Sequence, residues 1–337
     1  MRLADQRILI VTRPTRLKGL LRRYSTRGLA KFAMASLRAA EEEARPAARE
    51  RRKAKDESID ADFMLLERED QTYDSSVEFL RRELDELGPN VQVVERDFLP
   101  VFVFGPHDVV VTVGQDGLVA NTAKYAKRLP IVAVNPDPEH IDGVLLPFKL
   151  EQARVAVQNV LKARARFREV TLAEATLPDG QRLLAFNDFF IGSRTHVSAR
   201  YRLEHGGRSE SQISSGLLVS TGAGSTGWLS SVFNMANGLH TTFGTRSGAF
   251  TVQHQVRMDW SDPRLIYVVG EPFASKQSGV TMTAGVLEGG DEIVAESLMG
   301  ENGVIFSDGI ESDYLEFNSG AIARVRAASE RARLAVG

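Results

Sequence analysis

The chain changes texture once, near Pro147, and that change narrows the folds open to it. Before it, short apolar runs alternate with helical patterns. The runs are RILIVT (Arg7 to Thr12), VQVVE, VVVTV (Val109 to Val113) and PIVAVN (Pro130 to Asn135). Short apolar runs bounded by turn signals read as buried strands, and strands that alternate with helices predict a parallel α/β sheet. The clearest helix runs from Ser75 to Leu87, where Val77, Leu80, Leu84 and Leu87 recur three or four residues apart before Gly88-Pro89 ends the pattern. After Pro147 a connecting helix, LEQARVAVQNVLKARARF, leads into many short strand-like runs. These are REVTLAEATL, QRLLAFNDFFIG, HVSARYRLEH, GLLVST, RLIYVVG, GVTMTAG, NGVIFSDG, YLEFN and AIARVRAA, with turns such as Pro178-Asp179-Gly180, Gly206-Gly207 and Gly289-Gly290 between several of them.

The expected fold class is therefore α/β plus all-β. A parallel α/β domain covers residues 1–147, and a β-rich, sandwich-like domain covers 148–337, with a C-terminal segment that could pack back on the first. The stretch at about 24–70 stands apart. Its core, RAAEEEARPAARERRKAKDES, has helix formers but almost no apolar stripe, so it reads as a solvated helix or excursion broken at Pro46.

Charge and composition exclude several functions. A net charge of −2 supplies no field for nucleic acid or an anionic membrane. With no cysteine, disulfides, zinc–thiolate sites and cysteine nucleophiles are ruled out. No apolar run nears the ~18–20 residues that cross a bilayer. The opening MRLADQRILIVT lacks a secretory pattern, and the basic stretch Arg13 to Arg38 lies after a strand rather than at the start, so a soluble cytoplasmic protein is expected. The six histidines show no metal-ligand spacing, neither a Walker A loop nor a nucleophile elbow is present, and no G-x-G-x-x-G fingerprint follows the first strand.

Three short segments could carry chemistry. Gly114-Gln115-Asp116-Gly117 ends the third strand and opens a helix, where α/β sheets bind ligands and where glycine lets phosphate approach backbone N–H groups. Asp116 is awkward beside phosphate, which points to a proton or a metal, although Asp before Gly is also an ordinary turn or cap. The second segment, Ser220 to Trp228, is rich in glycine and small hydroxyls, suited to a flat polar ligand, with Trp228 as a stacking face; a plain loop is the alternative. In the third, Asn187 and Asp188 interrupt an apolar strand, so that one of them meets an interior or a ligand unless a bulge removes it.

In this order the motifs resemble those of the NAD kinase family, and most closely its mitochondrial-type branch. The matching stretches include VNPDPEHIDGVL, SSGLLVSTGAGSTGW, GEPFASK and LEFNSGAIA. Gln115 takes the place of the family's second glycine, Leu118 of a threonine, Ser215 of an aspartate and Asp188 of a glutamate. The resemblance implies the NAD kinase/diacylglycerol kinase-like fold and ATP-dependent phosphorylation of the adenosine-ribose 2′-hydroxyl of NAD(H), with Mg2+ carried by ATP. It implies that Asp116 is the general base and that Gly114, Gln115 and Gly117 shape the phosphate-binding turn. Asn187, Asp188, Ser225, Thr226 and Trp228 would hold the dinucleotide, in a homodimer. A lipid or diacylglycerol-type kinase and a non-catalytic NAD(H)-binding protein remain as alternatives. Asp308-Gly309 and Asn318-Ser319-Gly320 read as structural turns.

Overall fold

The computed structural model describes residues 6–43, 52–243 and 257–337, which group into two compact units. The first takes in the described residues of Met1–Leu99 together with His107–Leu118 and Val132–Ala163. The second comprises the described residues of Pro100–Pro106, Val119–Ile131 and Arg164–Gly337. The first unit thus runs on past Pro147 to Ala163, because the connecting helix packs with it.

The first unit is built on strands β1 (Arg7–Thr12), β2 (Asn90–Glu95), β3 (Val109–Val113), β4 (Pro130–Asn135) and β5 (Phe148–Lys149). Their order is β5-β4-β3-β1-β2, and the pairings of β1 with β2 and β3 are parallel. All of Val109–Val113 is buried, as is Ile8 to Val11, which is what a parallel sheet covered on both faces requires. Around it lie α1 (Arg16–Tyr24), α2 (Arg27–Glu43), α3 (Arg52–Asp85), the start of α4 (Asp116–Ala126) and α5 (Leu150–Leu161).

Here the structure departs from the sequence reading. The helix expected to begin at Ser75 is the final third of α3, whose earlier part belongs to the charged insert. The buried face continues backward from Leu84 and Leu80 through Ser76 and Tyr73 to Leu66 and Phe63, in steps of three, four and seven residues. Phe63 and Leu66 bury against Leu17 of α1 and Ala30 of α2, so the insert has its own small core. Pro46, the expected break, lies outside the described residues.

In the second unit the strands form two antiparallel sheets. One has the order β10-β9-β14-β17-β6-β7, from Arg208–Ser214, Ala199–His205, Glu292–Ser297, Ile322–Val336, Arg166–Thr176 and Arg182–Ala185. The other is β13-β12-β11-β8-β15-β16, from Ala284–Leu287, Leu265–Gly270, Gly216–Ser220, Asp188–Ser193, Gly303–Ser307 and Ile310–Glu316. Phe189, Ile191, Leu217 and Val219 from the second sheet share one core with Tyr201, Leu203, Ala295 and Val325 from the first. The expected sandwich is therefore present.

Four details differ. QRLLAFNDFFIG divides into β7 and β8 at Phe186-Asn187, and RSESQIS and EIVAES are strands the turn signals did not mark. Most of GVTMTAG is not strand, because the Glu210 carboxylate accepts the N–H groups of Thr281 and Met282 at 2.9–3.1 Å in place of a neighbouring strand. After Gly227 comes a helix, α6 (Trp228–Phe243), with Leu229, Val232 and Phe233 packed on Leu218 and Ile266. Among the described residues no helix is long and apolar enough to cross a membrane.

Candidate functional site

The Gly114 turn sits where expected, at the carboxyl end of β3. Gly114 has φ +155°, which L residues rarely adopt, and its N–H donates to Val134 O at 3.3 Å. Gln115 and Gly117 are exposed, whereas Leu118, 2% exposed, belongs to the core. Asp116 is the first residue of α4, and both of its oxygens are engaged. Val144 N–H donates to Oδ2 at 3.0 Å and Leu145 N–H to Oδ1 at 2.9 Å. Asn135 ties down the same loop, donating to Ile141 O at 2.8 Å and accepting the Asp137 N–H at 3.0 Å. Asp116 is thus a carboxylate held in one orientation by two backbone N–H donors.

Beside this turn is a cleft of about 700 Å³, lined by Arg13, Arg16, Arg68, Tyr73, Gln115 and His140 among others. Sequence reasoning missed the arginines, although RPTR directly follows β1 and so lies at a strand's carboxyl end. Tyr73 fixes α3 against the sheet: its buried hydroxyl donates to Val113 O at 2.7 Å and accepts the Arg13 N–H at 3.0 Å. Burial pushes the Tyr73 phenol up to about 12.

In the second unit the residues converge on the crossing from β7 to β8. Thr221 N–H donates to Asn187 O at 2.8 Å, and the Thr221 hydroxyl donates to Phe186 O at 2.6 Å. Gly224 follows closely: a Cβ there would lie 2.2 Å from Asn187 O and 2.6 Å from Ser220 Oγ. The Ser220-to-Gly227 loop is therefore docked on the crossing by its bare backbone. Ser225 is buried, donating its hydroxyl to Gly222 O at 2.7 Å and accepting the Met258 N–H at 3.3 Å, while Thr226 is exposed.

Phe189 and Ile191 face the core, so Asp188 and Phe190 lie on the outer face of β8. Trp228, 44% exposed, stacks on Phe190 with centroids 5.8 Å apart and planes 11° apart, and Phe190 also packs on Phe306. These rings border a cleft of about 310 Å³ that also takes in Arg194, His196 and Ser215. Asp188 is only 7% exposed, and among the described residues its carboxylate takes no hydrogen bond. Burial, with a smaller contribution from the Asp308 charge, pushes its carboxyl up to about 7.

Beneath the crossing lies a polar network. Asp308 is in the turn between β15 and β16, with φ +56°, followed by Gly309 at +70°, the two positive values of a type I′ hairpin. Its carboxylate accepts the N–H groups of Phe186 and Asn187 at 3.1 and 2.6 Å. Burial pushes the Asp308 carboxyl up, against the pull of the Lys124 ammonium and these donors. Lys124 is itself buried, 2.8 Å from Ser307 Oγ and 3.2 Å from the Asp313 carboxylate. Asp308 is thus part of the framework under Asn187 and Asp188, as the turn reading expected of it.

The structure therefore brings Asn187, Asp188, Ser225, Thr226 and Trp228 into one region of the second unit. Gly114, Gln115, Asp116 and Gly117 form a separate group in the first. Among the described residues no three carboxylates or histidines converge as a metal site.

The fold is similar to that of yeast NADH kinase in its crystal structure complexed with NADH, with a TM-score of 0.55 and 17% identity over 79% of this chain and 80% of that one. It is also similar to an NAD kinase from Archaeoglobus fulgidus in complex with ATP, with a TM-score of 0.50 and 17% identity over 77% and 88% of the two chains. No family model matches the chain, and no curated protein matches it in sequence. The chain thus shares its fold with these two kinases.

Proposed function

We propose that this chain is a kinase that transfers the terminal phosphoryl group of ATP to the adenosine-ribose 2′-hydroxyl of NAD(H). The observation that carries the reading is the docking of the Ser220-to-Gly227 loop on Asn187, with the buried Asp188, which takes no side-chain hydrogen bond among the described residues, and the Trp228 ring alongside. That surface suits a nucleoside: a flat face for the base, with an amide and a carboxylate for ribose hydroxyls. It occurs in a fold shared with enzymes named for the same substrate.

In this reading a bond forms between the ribose 2′-oxygen and the γ-phosphorus while the bond from that phosphorus to the β,γ-bridging oxygen breaks, releasing ADP. Asp116 receives the hydroxyl proton, held in position by Val144 and Leu145. A weak base suffices, because bond cleavage runs ahead of bond formation in such transfers. The Gly114 turn and the start of α4 face donor phosphate with backbone N–H groups. Glu69 and Asp137 already pair with Arg13, Arg16 and His140, so the residues present fit a Mg2+ that arrives on ATP better than one the protein holds. That ion would offset phosphate charge.

A second reading, a dinucleotide-binding protein without turnover, is favoured by the commitment of both Asp116 oxygens to the loop. Incubation of purified protein with NAD and Mg-ATP separates the two. NADP formation supports the kinase, whereas NAD-dependent thermal stabilisation with no NADP supports the binding protein. Phosphorylation of diacylglycerol in place of NAD would overturn both.

A further inference from the structure

The charged insert reaches the cleft beside the Gly114 turn through α3. Glu69, on that helix, bridges two arginines from the far end of β1. Its Oε1 lies 3.3 Å from Arg13 Nη2, and its Oε2 accepts the Arg16 Nε–H at 2.6 Å. Arg13 is held firmly, with a side chain 13% exposed, and among the described residues its buried Nε takes no hydrogen bond. Arg68, the neighbouring residue on α3, is exposed and takes no ion pair among the described residues.

The cleft carries three guanidinium groups and three carboxylates, of which Asp137 sits on His140 and Glu69 on Arg13 and Arg16, so displacing Glu69 is what would free guanidinium donors for another anion. A guanidinium fork fits carboxylate and phosphate oxygens alike, but a polyphosphate brings more charge and more acceptors than a carboxylate can. The site lies beyond the carboxyl ends of β1 and β4, beside Gln115, in a cleft of about 700 Å³.

We propose that Arg13, Arg16 and Arg68 bind the polyphosphate chain of the phosphoryl donor, and that Glu69 is an internal competitor which occupies the first two until that chain displaces it. The insert then sets donor affinity. Only the identity of the donor rests on the kinase reading; the anion site stands without it.

The test titrates ATP and inorganic tripolyphosphate separately into wild type, Glu69→Gln and Arg16→Ala by calorimetry, with ligand-free melting as the folding control. Arg16 is 70% exposed, so its removal leaves the fold intact. Glu69→Gln is expected to tighten both ligands about three- to tenfold, and Arg16→Ala to weaken both by a similar factor. Loss of any nearby negative charge favours an anion, so Glu139→Gln is the control, Glu139 being an acid of the same cleft that pairs with neither arginine among the described residues. A gain there equal to that of Glu69→Gln overturns the competitor role. Unchanged or weaker binding in Glu69→Gln overturns the proposal, as does a gain confined to ATP, which would place recognition in the nucleoside. NADP formation is followed in parallel. If wild type makes no NADP while both affinity shifts occur, the anion site stands and the kinase reading falls. If NADP forms with a donor KM indifferent to Glu69, the reverse holds.

Discussion

The carboxylate of Asp308 accepts the backbone N–H of Asn187 at 2.6 Å, across 121 residues of chain. A hairpin turn thereby fixes the strand crossing on which the proposed adenosine site is built. Asp308→Ala would leave the Phe186 and Asn187 N–H groups unpaired and remove a neighbouring anion from Lys124. Each unpaired group costs about 1–3 kcal/mol, so a loss of roughly 2–6 kcal/mol is expected in urea unfolding, with weaker NAD binding by the folded fraction. Wild-type stability in this variant would show the clasp to be dispensable.

Asp188 makes stability depend on pH. Its folded carboxyl titrates near 7 against an ordinary 3.8, so between those values the native state binds more protons than the unfolded one. Stability from this group is therefore present at low pH and lost as pH rises from about 4 to 7. Asp188→Asn removes the penalty. It should exceed wild type at pH 8 by roughly 1–4 kcal/mol and by nothing near pH 4. Denaturation at pH 4, 6 and 8 checks this, and a gain of equal size at all three would contradict it.

Asp116→Asn separates chemistry from binding. Turnover should fall by about 10²–10⁴, the usual range for a lost general base, with NAD affinity changed less than about threefold. Steady-state kinetics and an NAD titration on one preparation decide it. Retained turnover would leave Asp116 as an anchor for the loop at Val144 and nothing more.

Gly224→Ala places a methyl group against backbone that has no flexible end to move. The clash with Asn187 O should cost roughly 1–3 kcal/mol and displace the loop. Thermal melting and NAD binding should fall together in this variant. Gly238→Ala is the control, since a Cβ there meets nothing within 4 Å.

The parts legible in sequence were local. β3, the Gly114 turn and α4 follow one another within 18 residues, and each carries its own signal in β-branched runs, glycine and a capping acid. The Asn187-Asp188 interruption was legible for the same reason. Contacts across long separations were not. Arg13 and Arg16 meet Glu69 56 and 53 residues away, and nothing near Glu69 distinguishes it from the other acids of a charged helix. The continuous face of α3 escaped notice because Tyr73 and Ser76 occupy buried positions that hydropathy scores as polar. α6 escaped because its buried face is short, and most of its other side chains remain in solvent.

One helix of 34 residues, roughly 50 Å long, belongs to both the insert and the domain beneath it. The insert is consequently not a cassette that can be cut out at its ends. A deletion of residues 24–70 as decoration would sever the rod that covers β1, and the parent fold would lose a wall along with the ornament.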